Sequence, residues 1–74
     1  MNITFTKQVK DAYGWEEETE VETWQKAEHA VIDCDSLDDL VEAGKWIGKH
    51  ERTIAAYDIY EIASGKPYIE IWKK

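Results

Sequence analysis

The chain opens with alternation. In ITFTKQV, residues 3–9, Ile3, Phe5 and Val9 fall on one side and Thr4, Thr6 and Gln8 on the other. A period of two predicts a half-buried strand. DAYG follows, with Asp11 and Gly14 supplying turn chemistry. WEEETEVETW, residues 15–24, comes next. As a helix it would set Glu16 against Glu20 and Glu18 against Glu22, two like-charge pairs four residues apart that destabilise a helix. As a strand it puts Glu16, Glu18, Glu20 and Glu22 on one side and Trp15, Glu17, Thr19, Val21 and Thr23 on the other. The strand is preferred, paired with 3–9 as a hairpin through Gly14. The spacing of Val21, Trp24, Ala27 and Val31 keeps some support for a helix.

A short, largely buried strand is expected around Ala30–Cys34. DSLDDLVEAGKWIGKH then carries the clearest signal in the chain. Ser36 is a good N-cap, and Asp39 three residues on completes a capping-box pattern. Asp38 and Asp39 suit the positive end of the dipole, and Lys45, Lys49 and His50 the negative end. The spacing predicts a helix over 36–48, with Leu37, Leu40, Val41, Gly44 and Ile47 as its apolar stripe and Gly48 as its stop. TIAAYDIYEIA and PYIEIWKK flank SGKP and read as a final hairpin.

The order is therefore β-β-β-α-β-β: a small α+β domain of about five strands, antiparallel-rich, with one helix on one face. A parallel crossover from strand 30–34 through the helix to strand 53–63 is an alternative arrangement at the centre. One helix covers one face of such a sheet, yet the last strands are apolar on both sides. Ile69 and Ile71 oppose Tyr68 and Trp72, and Tyr57 and Ile59 oppose Tyr60 and Ile62. Trp46 lies about 180° from Leu37 around the helix, so it is expected to be exposed. Trp46, Tyr60, Tyr68 and Trp72 are the candidate aromatic contacts of a partner site; a second small core beneath the hairpin is the alternative use for such residues.

Charge sharpens this picture. The 74 residues carry a net charge of −7, unevenly spread. Asp11 to Glu42 holds twelve Asp/Glu against Lys26 alone, while the rest holds four acids and eight bases. An acidic middle repels phosphate, so direct nucleic-acid binding is not expected there. Lys66, Lys73 and Lys74 beside Tyr68 and Trp72 are too few for a nucleic-acid platform. The chain lacks an apolar run of 18 residues and a signal-like leader, so a cytoplasmic, single-domain protein without membrane contact is expected. Its 12% aromatic content argues against a disordered acidic chain.

Candidate chemistry is sparse. Cys34 is the one cysteine, which rules out an internal disulfide. A pair with His29 or His50 lacks a third orienting group, and Asp33 and Asp35 beside Cys34 would raise its pKa. DCDSLDD puts four aspartates in seven residues, but a calcium loop counted from Asp33 has Asp38 where glycine belongs and Gly44 where glutamate belongs. No catalytic residue, metal or cofactor is expected.

The leading expectation is a non-enzymatic binding protein. Its candidate acidic contacts are Glu16, Glu17, Glu18, Glu20, Glu22, Asp33, Asp35, Asp38, Asp39 and Glu42. The partner is expected to be a protein with a basic surface. In the sharp form, a row of glutamates occupies the positive groove of a nuclease or DNA-binding protein as a nucleic-acid mimic. In size and acidity the chain resembles, in style and on no alignable motif, accessory proteins of phages and mobile elements, including inhibitors of restriction and CRISPR nucleases. The alternative is a structural or assembly subunit, homodimeric through a sheet edge or the Tyr/Trp face, whose charge serves solubility only.

Overall fold

The computed structural model describes residues 1–61 and 65–74. The elements are β1 (Asn2–Lys10), β2 (Glu16–Val21), β3 (His29–Asp33), α1 (Leu37–Lys49), β4 (Ile54–Tyr60) and β5 (Tyr68–Lys73). Short 3-10 turns cover Trp24–Lys26 and Glu51–Thr53. The expected α+β order holds, with all five strands in one sheet ordered β2-β1-β3-β5-β4 and every neighbouring pair antiparallel. β3 and β4 run parallel, as the crossover alternative required, but they do not touch because β5 lies between them. Residues 62–64, including Ile62 and part of the final turn, lie outside the described residues.

The register sorts side chains cleanly. Phe5 faces Val21 and Ala30, Ala30 faces Ile71, and Ile32 faces Ile3 and Ile69. These residues share the face that α1 covers. Ala30, Ile32, Ile69, Ile71, Cys34 and Ala43 are buried there. Trp24, lifted by its 3-10 turn, closes one end and donates through Nε1 to Thr53 Oγ1 at 2.9 Å.

The helix starts as the sequence predicts. Ser36 Oγ accepts from the Asp39 backbone N–H at 3.2 Å. Asp39 Oδ2 accepts in return from the N–H of Asp35, at 2.9 Å, one residue before the position a capping box would use. Two expectations are corrected. Gly48 lies inside α1, and the end falls at His50, with φ −109. The His50 backbone N–H bonds the carbonyls of Trp46 and Ile47, and its ring Nδ1 sits 2.8 Å from Trp46 O. These contacts satisfy helix-end carbonyls without a left-handed glycine.

The second correction concerns which way the helix faces. Leu37 is 81% exposed and Val41 is exposed, while Leu40, Ala43, Trp46 and Ile47 turn inward. Trp46 is not an exposed aromatic. Its ring packs 5.4 Å from that of Trp24 and 6.0 Å from Phe5, and stacks on His50 at 4.1 Å. Trp46 and Leu37 do lie on opposite sides, as helical geometry requires. The sheet takes the tryptophan side because Phe5 and Trp24 offer ring partners there. An indole also removes more apolar surface from water than a first-turn leucine.

Candidate functional site: an uncovered acidic sheet face

The far side of the sheet has no covering layer among the described residues. Strand alternation sends Thr4, Thr6, Gln8 and Lys10 of β1 to that side, opposite Glu20, Glu18 and Glu16 of β2. β3 adds His29, Val31 and Asp33; β5 adds Tyr68, Glu70 and Trp72; β4 adds Ala56, Asp58 and Tyr60. These outward positions hold six carboxylates against one lysine. Three form a column along β2, about 6.8 Å apart. Asp33, Glu70 and Asp58 lie across the other half.

His29 ties the halves together. Its Nδ1 lies 3.2 Å from Thr6 Oγ1 and 3.6 Å from Glu18 Oε1, and its Nε2 lies 3.3 Å from Glu70 Oε2. The Thr6 hydroxyl donates to Glu18 at 2.9 Å. Trp72 packs beside the imidazole at 5.7 Å, and Tyr60 stacks on Tyr68 at 4.9 Å. These aromatics are paired side by side in the surface of the sheet. They do not build a second core, since no element lies beneath them among the described residues. Burial of its ring edge, then Asp58 and Glu70, raise the Tyr60 phenol above its usual pKa, so it stays a neutral hydrogen-bond donor. A depression of about 630 Å³ opens beside His29 and Trp72, walled by Glu18 and Glu28 and by Lys7, Lys73 and Lys74.

The hairpin extends the face beyond the sheet. β1 pairs with β3 only as far as Thr6, so Lys7–Lys10 and their β2 partners stand out as a two-stranded arm. Its turn is closed by Asp11, whose carboxylate accepts from the N–H groups of Tyr13 and Trp15 at 2.8 and 3.0 Å. Gly14 takes φ +83, a left-handed conformation that glycine adopts without strain. The tip presents Tyr13 and Trp15, 87% and 74% exposed. Neither was singled out in the sequence. Trp15 belongs by parity with Val21 on the inner side, and only the arm's projection past the core leaves it uncovered.

The other acidic candidates sit elsewhere. Glu17 points to the helix side of the arm, and Glu22 follows the end of β2. Asp35 reaches Lys66 at 3.5 Å. Asp38 and Glu42 ride on the exposed back of α1, Glu42 with Lys45 at 3.3 Å. Asp39 is held by the Asp35 N–H and, at 3.2 Å, the Met1 amino group; these bonds keep its carboxyl below the usual range. The ten carboxylates therefore divide between two sides of the molecule, and Glu16, Glu18, Glu20 and Asp33 share the open face.

The lysines at the end of the chain divide too. The Lys73 ammonium donates to the carbonyls of Trp24, Gln25 and Ala27, the last two at 3.0 and 2.9 Å, and lies 4.9 Å from the Trp24 ring centre. It anchors the 3-10 turn and is spent structurally. Cys34 is buried, and burial first, then Asp39, push its thiol pKa up. That makes it a poor nucleophile. Among the described residues no group of three His, Cys, Asp or Glu is placed to hold a metal ion, and no helix is long and apolar enough to cross a membrane. In comparisons with protein-family models, curated proteins and solved structures, nothing matches this chain.

Proposed function

We propose that this is a small acidic, non-enzymatic, cytoplasmic binding protein whose open sheet face and projecting hairpin engage a basic surface on a partner protein. The observation that carries the reading is the segregation of charge: six carboxylates and one lysine at the outward strand positions of an uncovered face, with Trp72 and the Tyr60–Tyr68 pair among them. A face used only for solubility would not need aromatic rings beside the carboxylates, whereas aromatic residues are enriched in interfaces. Trp15 and Tyr13 at the tip of the arm supply apolar anchors of the kind that dominate binding energy.

The sharper form of the proposal is a nucleic-acid mimic that inhibits a nuclease or DNA-binding protein of the phage or mobile-element type. Glu16, Glu18 and Glu20 make a row of negative charge along β2, about 6.8 Å apart, and His29 brings Glu70 in beside Glu18. A fixed row of negative charge offers a basic groove what a phosphate backbone offers it. Basic clefts built for phosphates would accept such a row.

Immobilised protein should capture basic DNA-binding proteins from a host-cell lysate, releasing them to duplex DNA and to about 0.5 M salt as screening shortens the Debye length to a few ångströms. Replacing Glu16, Glu18 and Glu20 with Gln should abolish capture while leaving the circular dichroism spectrum unchanged. Capture that survives the triple substitution rules out the glutamate column as the site.

A further inference from the structure

The two edges of the sheet are unlike. β2 is guarded by glutamates, and like charges facing one another across a new ladder oppose pairing there. β4, the opposite edge, carries one carboxylate, Asp58, in seven residues and has neither lysine nor proline; the irregularity between Ile54 and Ala56 disturbs only its first turn of register. Among the described residues, its outer row of backbone N–H and C=O groups has no strand partner.

The side chains beside that edge are apolar and uncovered. Tyr57 and Ile59 lie on the helix side of the sheet, opposite Ile71 and Ile69, yet are 52% and 56% exposed. The cause is the placement of α1. Trp46 draws the helix toward Phe5 and Trp24, so its opposite flank, bearing Leu37 and Val41, stays exposed. A trough of about 350 Å³ opens between Ile47 and β4.

We propose that a second copy of this chain fills it, the two β4 strands pairing antiparallel about a twofold axis to make one ten-stranded sheet with both helices on the same side. Unpaired strand backbone calls for another strand, and an isologous pair makes the edge its own complement. Keeping both helices on one side restricts the register to pairings centred on a residue. Centring on Tyr57 sets Asp58 against Ala56 of the other copy, so no carboxylate faces its own image. Leu37, Val41, Tyr57 and Ile59 together expose about 450 Å² at roughly 150–220 Å² per fully exposed side chain. With the strand backbone and alanines the burial reaches about 700–800 Å² per copy, the size of a standard stable interface. The acidic faces of both copies stay free, so the dimer presents the proposed partner surface twice.

Sedimentation equilibrium of the purified chain alone, from about 1 to 200 µM, tests this. The expected mass is twice 8.6 kDa. Association should persist or tighten at about 0.5 M salt, because screening relieves the repulsion between two copies of charge −7. Ile59→Asp with Tyr57→Asp should weaken association about 30-fold or more, with an unchanged circular dichroism spectrum because both residues are exposed. Tyr57→Cys should form a disulfide-linked dimer, since directly opposed strand residues lie within disulfide reach. The Glu16/Glu18/Glu20→Gln protein should dimerise as well as the parent, which separates this proposal from the acidic-face reading. A monomer throughout, a dimer indifferent to Ile59→Asp and Tyr57→Asp, or a dimer lost in the glutamine protein would overturn it.

Discussion

Lys73→Met removes one ammonium and leaves most of the side chain in place. That ammonium donates to three carbonyls from one turn, those of Trp24, Gln25 and Ala27, and lies over the Trp24 ring. The turn carries Trp24 into the core, where it meets Phe5 and Trp46. The substitution therefore strikes the packing of an indole through the backbone that holds it. Hydrogen bonds to a charged group each contribute about 1.5–3 kcal/mol. Lys73 is half-buried, so water recovers part of the loss, and the net cost should be about 2–3 kcal/mol. For a domain of this size that lowers Tm by about 8–24 °C. Urea melts followed by tryptophan fluorescence measure it directly. Lys74→Met, at the exposed neighbour, should change stability by less than about 0.5 kcal/mol. If Lys73→Met is as mild as Lys74→Met, the lysine does not hold the turn and the ammonium–carbonyl cluster contributes no net stability.

Three further outcomes are expected. Trp46→Ala should cost about 3–5 kcal/mol, whereas Leu37→Ala, 81% exposed, should cost less than about 0.5; chemical denaturation of both reports which flank of α1 is buried. The Asp39 carboxyl is held low by the Asp35 N–H and the Met1 amino group, so its contribution is present above the ordinary carboxylate pKa and lost as pH falls through the lowered folded value. Thermal melts across the acid limb should be flatter for Asp39→Asn than for the parent, and an unchanged acid limb would contradict the sign. Cys34, buried with a raised thiol pKa, should react with iodoacetamide at neutral pH only as fast as the protein unfolds, a rate that mass spectrometry resolves.

The features legible in the sequence are those written in local periodicity. Alternation in 3–9, the like-charge argument against a helix at Glu16–Glu22 and the Ser36 cap each depend on neighbours within four residues. Each matches the structure, though Glu22 falls just outside β2. The phase of α1 was not legible. An apolar stripe through Leu37 and one through Trp46 are both consistent with helical spacing, and the choice belongs to Phe5 and Trp24, far away in sequence. Lys73 looked like part of a basic tail because its carbonyl partners lie more than 45 residues upstream. The acidic residues formed one group in sequence and two in space, since strand parity sends Glu16, Glu18 and Glu20 to the open face while α1 carries Asp38 and Glu42 on the other side. Trp15 and Tyr13 were hidden for a related reason: parity gives the side of a strand, not whether the strand extends past the core.

If the open acidic face meets a protein, the contact will show residue by residue. Nuclear magnetic resonance of isotope-labelled protein, titrated with a basic DNA-binding protein captured from lysate, maps it. Shifts should concentrate at Glu16, Glu18, Glu20, His29 and Glu70 and at the arm's Trp15, with α1 unmoved. A footprint on α1 and the β4 edge, leaving the glutamate column untouched, would contradict an acidic-face contact.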